Sequence, residues 1–304
     1  MILIRIAVAL MLSIAVSVPA AARQAGSECP PAGSTVEQLR LLKIGKFVVP
    51  DAAAKRALAL ALTACLGHPD PEVRDGIAFE ALSAWMRAGD LDRATLITVR
   101  DTLFSMLKAP DPQGFRRPFA ALVLAEVART DRIKSWMSAD ERDALVRAAA
   151  AYLPTIDDYR AFSDTEGWRH GVAHTADLIL QLMLNVEVTK AQLDRLLVAI
   201  ATQVSPPRIM SYQAGEPERL ARPVFFAAQR KLHTDAEWAA WFTELAKPGV
   251  AVTWSDSFKS ELGLAKRHNL RAFLLSLYVN VRESDDAGVR MMLAPIQGAL
   301  KQLQ

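Results

Sequence analysis

The chain has 304 residues, with 36 basic and 33 acidic side chains, a formal net charge of +3 and 51% hydrophobic residues. That length and apolar content permit a large buried core, and no low-complexity segment or long linker divides it, which excludes a disordered chain and makes one elongated domain the simplest count. The near-balanced charge gives no support for nucleic-acid binding, which shows as a basic stripe or a strongly basic domain.

At the N-terminus, Arg5 precedes an apolar run from Ile6 to Val18 and then Pro19-Ala20-Ala21-Ala22. Small residues at Ala20 and Ala22 fit an export signal cut before Arg23, so residues 1–22 are expected to be a cleaved signal peptide and 23–304 a single helical-repeat domain in the periplasm or outside the cell. The run breaks at Pro19 and is shorter than the roughly 20 residues of a membrane span. No later segment reaches that length without charges, so no membrane insertion is expected after cleavage. Cleavage would take Arg5, one unit, off the net charge. No cysteine follows the run at once, so a lipid anchor is not expected.

Cys29 and Cys65 are the two cysteines. In an oxidising compartment their natural state is one disulfide. The alternative is a buried thiol at Cys65, inside the apolar LALALTACL. Two cysteines are too few for a thiolate zinc cluster, and neither lies in a CxxC pair.

From there on helix signals dominate: apolar residues recur at three and four, and period-two Val/Ile/Thr runs are nearly absent. Capping boxes, in which Ser or Thr is followed three positions on by Glu or Gln, mark helix starts at Ser34/Glu37, Ser138/Glu141, Thr189/Gln192 and Thr234/Glu237. Asp90 and Ser284 fit simple caps. An extra helix fits Asp51 to Leu66. The starts near 34, 90, 138, 189, 234 and 284 lie 45 to 56 residues apart, and a second family near 72, 116, 167, 217 and 267 interleaves with them at 44 to 51. One shared period of about 50 residues predicts a repeated antiparallel helical pair, hence an all-α chain of about 11 to 13 helices with no sheet, either an α-solenoid (a HEAT-like superhelix) or an α/α toroid. LGHPDPEVRDGIAFEAL, from Leu66 to Leu82, resembles a HEAT-type turn into its second helix, although 50 residues is long for that repeat.

If the second helices line a concave face, their first turns place Arg74 and Asp75, Arg116 and Arg117, Trp168 to His170, Glu218 and Arg219, and Arg267 and His268 along one rim. Cations at helix N-termini oppose the helix dipole. Such a row implies either local carboxylate partners, which Asp75, Glu216, Glu218, Asp157 and Asp158 could supply, or an anionic ligand held between arginines and free amides. Trp238, Trp241 and Phe242, and Trp254 with Phe258, read as core packing rather than a sugar-stacking platform. PFAALVLAEVA and FLLSLYVNV read as buried helix segments.

The stretch GWRHGVAHTADLIL, Gly167 to Leu180, sets His170, His174 and Asp177 at spacings of four and three, one face of a helix. HGVAH has the histidine spacing of zincin helices, but Gly171 stands where such enzymes carry the general-base glutamate. Three roles stay open for these candidates. They could hold a divalent metal, joined by Glu166 or His268. They could contact substrate or do acid/base chemistry, with Asp177 orienting His174. Or they could be structural, with Asp177 holding His174 while His170 and Trp168 fix a loop. There is no GxSxG, phosphate loop or dinucleotide fingerprint, and no cofactor is implied beyond that metal.

DDYRAFSDTEGWRHGVAHTADLI resembles the signature of a bacterial family, domain of unknown function 2785, through Tyr159, Arg160, Gly167, Trp168, His170, His174, Ala176, Asp177 and Leu178. RDGIAFEAL, FRRPFAALVLAE, GEPERLARP and HNLRAFLLSLY extend the likeness. Ala161 stands where the resemblance leads one to expect glycine. The family has no established activity, so the resemblance implies an all-helical architecture and directs attention to this motif.

Together these readings predict a protein that binds a partner protein or small anionic ligand in a concave groove centred on the motif, with Arg160, Trp168, Arg117, Arg219 and His268 as ligand contacts. The alternative is a toroid enzyme acting on a carbohydrate or cell-envelope substrate, with paired carboxylates drawn from Asp157, Asp158, Glu166 or Asp177.

Overall fold

A computed structural model describes residues 28–249 and 253–303. The expected signal peptide, residues 1–22, and its expected cleavage site lie outside the described residues. Thirteen helices follow one another: α1 (Val36–Ile44), α2 (Ala52–Leu62), α3 (71–88), α4 (Arg93–Lys108), α5 (Arg116–Ile133) and α6 (Ala139–Tyr152), then α7 (Gly171–Met183), α8 (Lys190–Val204), α9 (Glu216–Gln229), α10 (Asp235–Leu245), α11 (Glu261–Arg282), α12 (Ala287–Arg290) and α13 (Leu293–Gln302). None is long and apolar enough to cross a membrane. The chain is all-α in class, but the expectation of no sheet needs one correction: Phe162–Ser163 (β1) and Gly167–Trp168 (β2) pair antiparallel between α6 and α7.

Local chemistry accounts for most of the boundaries. Ser138, Thr189 and Thr234 close the expected capping boxes with Glu141, Gln192 and Glu237. The first box forms one residue later, between Thr35 and Gln38, because the same pattern recurs in the next register. Asp92 rather than Asp90 caps α4, accepting from the Thr95 amide and hydroxyl, while Asp90 pairs with Lys55. Asp286 rather than Ser284 caps α12. The helix expected near 267 begins at Glu261, capped by Ser260. The helix expected near 167 begins at Gly171, because His170 sits in the left-handed region (φ +53°) and ends the extended β2 segment.

The odd-numbered helices contact in succession, α3 on α5, α5 on α7, α7 on α9 and α9 on α11, while α2 meets α4, α6 meets α8, and α13 covers α10 and α11. The central helix α7 is buried on every side except at Asp177 and Gln181, as expected of a helix apolar nearly all round. Apolar burial runs as one cluster from Leu39 to Leu303. Trp238, Phe242 and Trp254 are core residues as read from the sequence, but Phe258 is exposed, and so are Leu275 and Val279 of the FLLSLYVNV segment. The expected Cys29–Cys65 disulfide is present.

Candidate functional site

The hairpin and the start of α7 are fastened by helices far away in sequence. Helix α3 contains a wide π turn, Arg74–Phe79, and its first two residues, Arg74 and Asp75, both reach the hairpin. Arg74 Nη2 donates to the Glu166 carbonyl at 2.7 Å, and the Trp168 amide donates to the Asp75 carboxylate. The Arg74 guanidinium is fully buried, with Nη1 donating to the carbonyls of His68 and Pro69 and Nε 2.6 Å from Asp75 Oδ1. Arg74 and Arg169 each lie over the Phe115 ring, 4.0 and 4.1 Å from its centroid, a cation–π arrangement. Arg169 also grips both oxygens of Glu166 and donates to the Gln113 carbonyl. Burial lowers the pKa of Arg74 and, despite Arg74, raises that of Asp75.

Rings stack inward from this clamp. Phe162 meets Trp168 at 4.9 Å between centroids, Trp168 stacks on His170 at 4.6 Å, His170 meets His174 edge-on at 5.7 Å, and His174 meets Phe119 at 5.1 Å. The outer two are exposed, and both histidines are buried. Burial first, then the positive fields of His170 and Arg219, hold His174 well below the ordinary imidazole pKa, although the Pro118 carbonyl accepts a hydrogen bond from it. His174 Nδ1 and His170 Nε2 are buried without hydrogen-bond partners.

The histidines therefore meet as the four-residue spacing implies, but Asp177 does not hold His174. Its carboxylate is engaged by Arg219, with Nε to Oδ1 at 2.9 Å. Arg160 is paired with Asp158, Nε to Oδ1 at 2.8 Å. Arginines thus neutralise Asp75, Asp158, Glu166 and Asp177, so the rim carries its own counterions. Among the described residues no group of three or more His, Cys, Asp or Glu is set to hold a metal ion.

Glu216, the first residue of α9, was read from the sequence as a partner for Arg219. Instead its Oε1 lies 3.5 Å from His170 Nε2, with both side chains buried. Burial pushes its pKa up, but His170 and the amides of Glu216 and Ala214 outweigh that and leave it lowered. The sequence signal was faint: Gly215 in the left-handed region and Pro217 in the first turn mark a helix start, not a site.

Open space lies beside the histidines rather than at them. A pocket of about 300 Å³ is lined by Tyr159, Phe162, Met210, Tyr212 and Glu216. It shares the wall residues Met210, Ser211 and Gln213 with a groove of about 760 Å³ along α11, lined by Ile209, Leu264, His268, Arg271 and Leu275. His268 is therefore a groove residue that lines no pocket with His170. Arg117 borders a separate recess of about 70 Å³ with Asp111 and Tyr152, its Nε donating to the Ala109 carbonyl. Arg160 and His170 border one recess too tight to admit a water. Ala161, where glycine was expected, has no positive φ, and its carbonyl accepts from the Arg169 amide, so the loop does not need glycine there.

The family profile described as Protein of unknown function (DUF2785) matches residues 103–279, more than half of the chain. The chain belongs to that family. The match takes in the hairpin, the histidines, Glu216 and most of α11, and leaves out α1–α3, so RDGIAFEAL with Arg74 and Asp75 lies beyond it. No curated protein and no solved structure matches the chain.

Proposed function

We propose that this is an exported helical-repeat protein of the HEAT-like solenoid kind that binds an anionic ligand with an apolar portion. The successive contacts of α3, α5, α7, α9 and α11 support the repeat architecture. The observation that carries the ligand reading is the groove along α11. Its volume suits a small-molecule site. Leu264, His268, Arg271 and Leu275, spaced at three and four along the helix, are all exposed, and neither His268 nor Arg271 has an ion-pair partner among the described residues. Apolar side chains interleaved with an unpaired arginine and a histidine match a ligand with both characters, whereas the rim arginines nearer the hairpin are already neutralised. The pocket beside the histidine motif then adjoins the groove at Met210, Ser211 and Gln213. No observation favours the glycoside-cleaving reading, since three of its four candidate carboxylates are bound to arginines.

Calorimetric titration with dodecanoate, and with dodecanol as the uncharged control, tests this. Dodecanoate should bind and Arg271→Glu should weaken it about tenfold or more, the loss of a charge-assisted contact plus a repulsion. Equal binding of dodecanol, or no effect of Arg271→Glu, would refute it.

A further inference from the structure

Glu216 stands apart from every other carboxylate of the site. Asp75, Asp158, Glu166 and Asp177 each have an arginine, whereas no lysine or arginine pairs with Glu216 among the described residues. Its side chain is nevertheless 95% buried, 5% remaining exposed. A buried charge is costly unless paired. Its Oε2 accepts from the Ala214 amide at 3.0 Å, and its Oε1 faces the ring nitrogen of His170 at 3.5 Å, which is too long for a good hydrogen bond and leaves that nitrogen without a partner. The third neighbour is the 300 Å³ pocket. The pocket wall is aromatic: Tyr159 and Tyr212 lie edge to face with centroids 6.1 Å apart, and Phe162 closes the outer side. Both tyrosine hydroxyls are turned to Gln203, so hydrogen bonding to their own protein already occupies their polar ends.

We propose that this pocket is a binding site for a small organic cation, an ammonium group seated among Tyr159, Tyr212 and Phe162 with Glu216 as its counterion. Aromatic rings attract cations through their negative faces, and the attraction grows when the site is desolvated. A metal ion is a poor occupant: hard cations need several oxygen ligands, and Glu216 is the one carboxylate lining this pocket. An anion is excluded by the same carboxylate. Arg160, next to the lining residues Tyr159 and Ala161 in the chain, is committed to Asp158, and Arg208, whose field reaches Tyr159, is exposed to solvent. The proposal is independent of the anion reading of the α11 groove, because Arg271 and His268 do not line this pocket.

The test is titration of the full mature protein with choline and with 3,3-dimethylbutan-1-ol, its uncharged isostere, followed by calorimetry. Choline should bind saturably, and the alcohol about tenfold more weakly or not at all. Glu216→Gln, which keeps the shape and the acceptor oxygen, should weaken choline about tenfold or more. Phe162→Ala, at an exposed position, should weaken it about threefold or more. Arg271→Glu should leave it unchanged. No saturable choline binding up to about 50 mM, where even a millimolar site would fill, overturns the proposal. So does equal binding of the alcohol. If Glu216→Gln is too unstable to assay, unchanged choline binding in Phe162→Ala overturns it alone.

Discussion

His174 shows how a residue picked out by spacing acquires its chemistry from burial. At the end of the ring column it is enclosed by Phe119, His170 and the Pro118 carbonyl, and the protonated form finds neither water nor a carboxylate. Its pKa falls well below 6.5 on folding, so below about pH 6.5 the unfolded chain takes up a proton that the folded chain refuses. Stability should be full above that value and decline as pH falls through the window beneath it. Urea unfolding at pH 7.5 and 5.5 measures this. His174→Gln, which cannot titrate, should show a shallower loss between the two, and an unchanged loss would show that other groups carry it. His174→Ala should cost about 2–4 kcal/mol at pH 7.5, through the cavity and the lost hydrogen bond.

Among the elements, the β1–β2 hairpin is the one that sequence periodicity missed, and its causes lie outside it. Two residues per strand carry no alternation to detect. The hairpin persists because Arg74, 92 residues before Glu166, takes that residue's carbonyl, and because Asp75 receives the Trp168 amide. The start of α11 was hidden for a local reason: Ser260 is followed three residues later by Gly263, so no capping box forms and only the simple cap remains. By contrast the boxes at Ser138, Thr189 and Thr234 are short-range chemistry and were legible. Gly167 is the hairpin's most sensitive point, with φ +71° and Pro71 Cβ 2.8 Å from where a side chain would begin. Gly167→Ala should therefore cost about 2 kcal/mol or more in backbone strain and displaced packing. Trp168 should lose its stacking on His170, and limited proteolysis should cut first within residues 162–168. A variant as resistant as the parent would show that α3 does not hold the hairpin.

At the scale of the whole molecule, the succession of helices was legible because most helices state their own caps and apolar stripe, whereas the position of open space was not. Which surface stays unfilled depends on how α9, α11 and the 209–214 segment come together, and no single stretch of sequence encodes that. Glu216, read from the sequence as an arginine's partner, was misassigned for the same reason: among the described residues no lysine or arginine pairs with it, which only the assembled fold defines. The disulfide is the opposite case, legible from compartment and count alone. It ties the segment before α1 to the 3₁₀ turn Thr63–Gly67 that leads into α3, the helix whose Arg74 and Asp75 clamp the hairpin. Cross-linking across 36 residues should contribute about 3–4 kcal/mol on the chain-entropy account. Exported protein should have an intact mass beginning near Arg23 and no thiol that alkylates without reductant. Reduction should lower the urea midpoint and loosen α3 first, so that hydrogen exchange rises in residues 71–88 and in the hairpin before it rises in α11. Free thiols in the exported protein would remove the oxidising-compartment argument. Uniform exchange on reduction would show that the N-terminal tie is not what steadies the clamp.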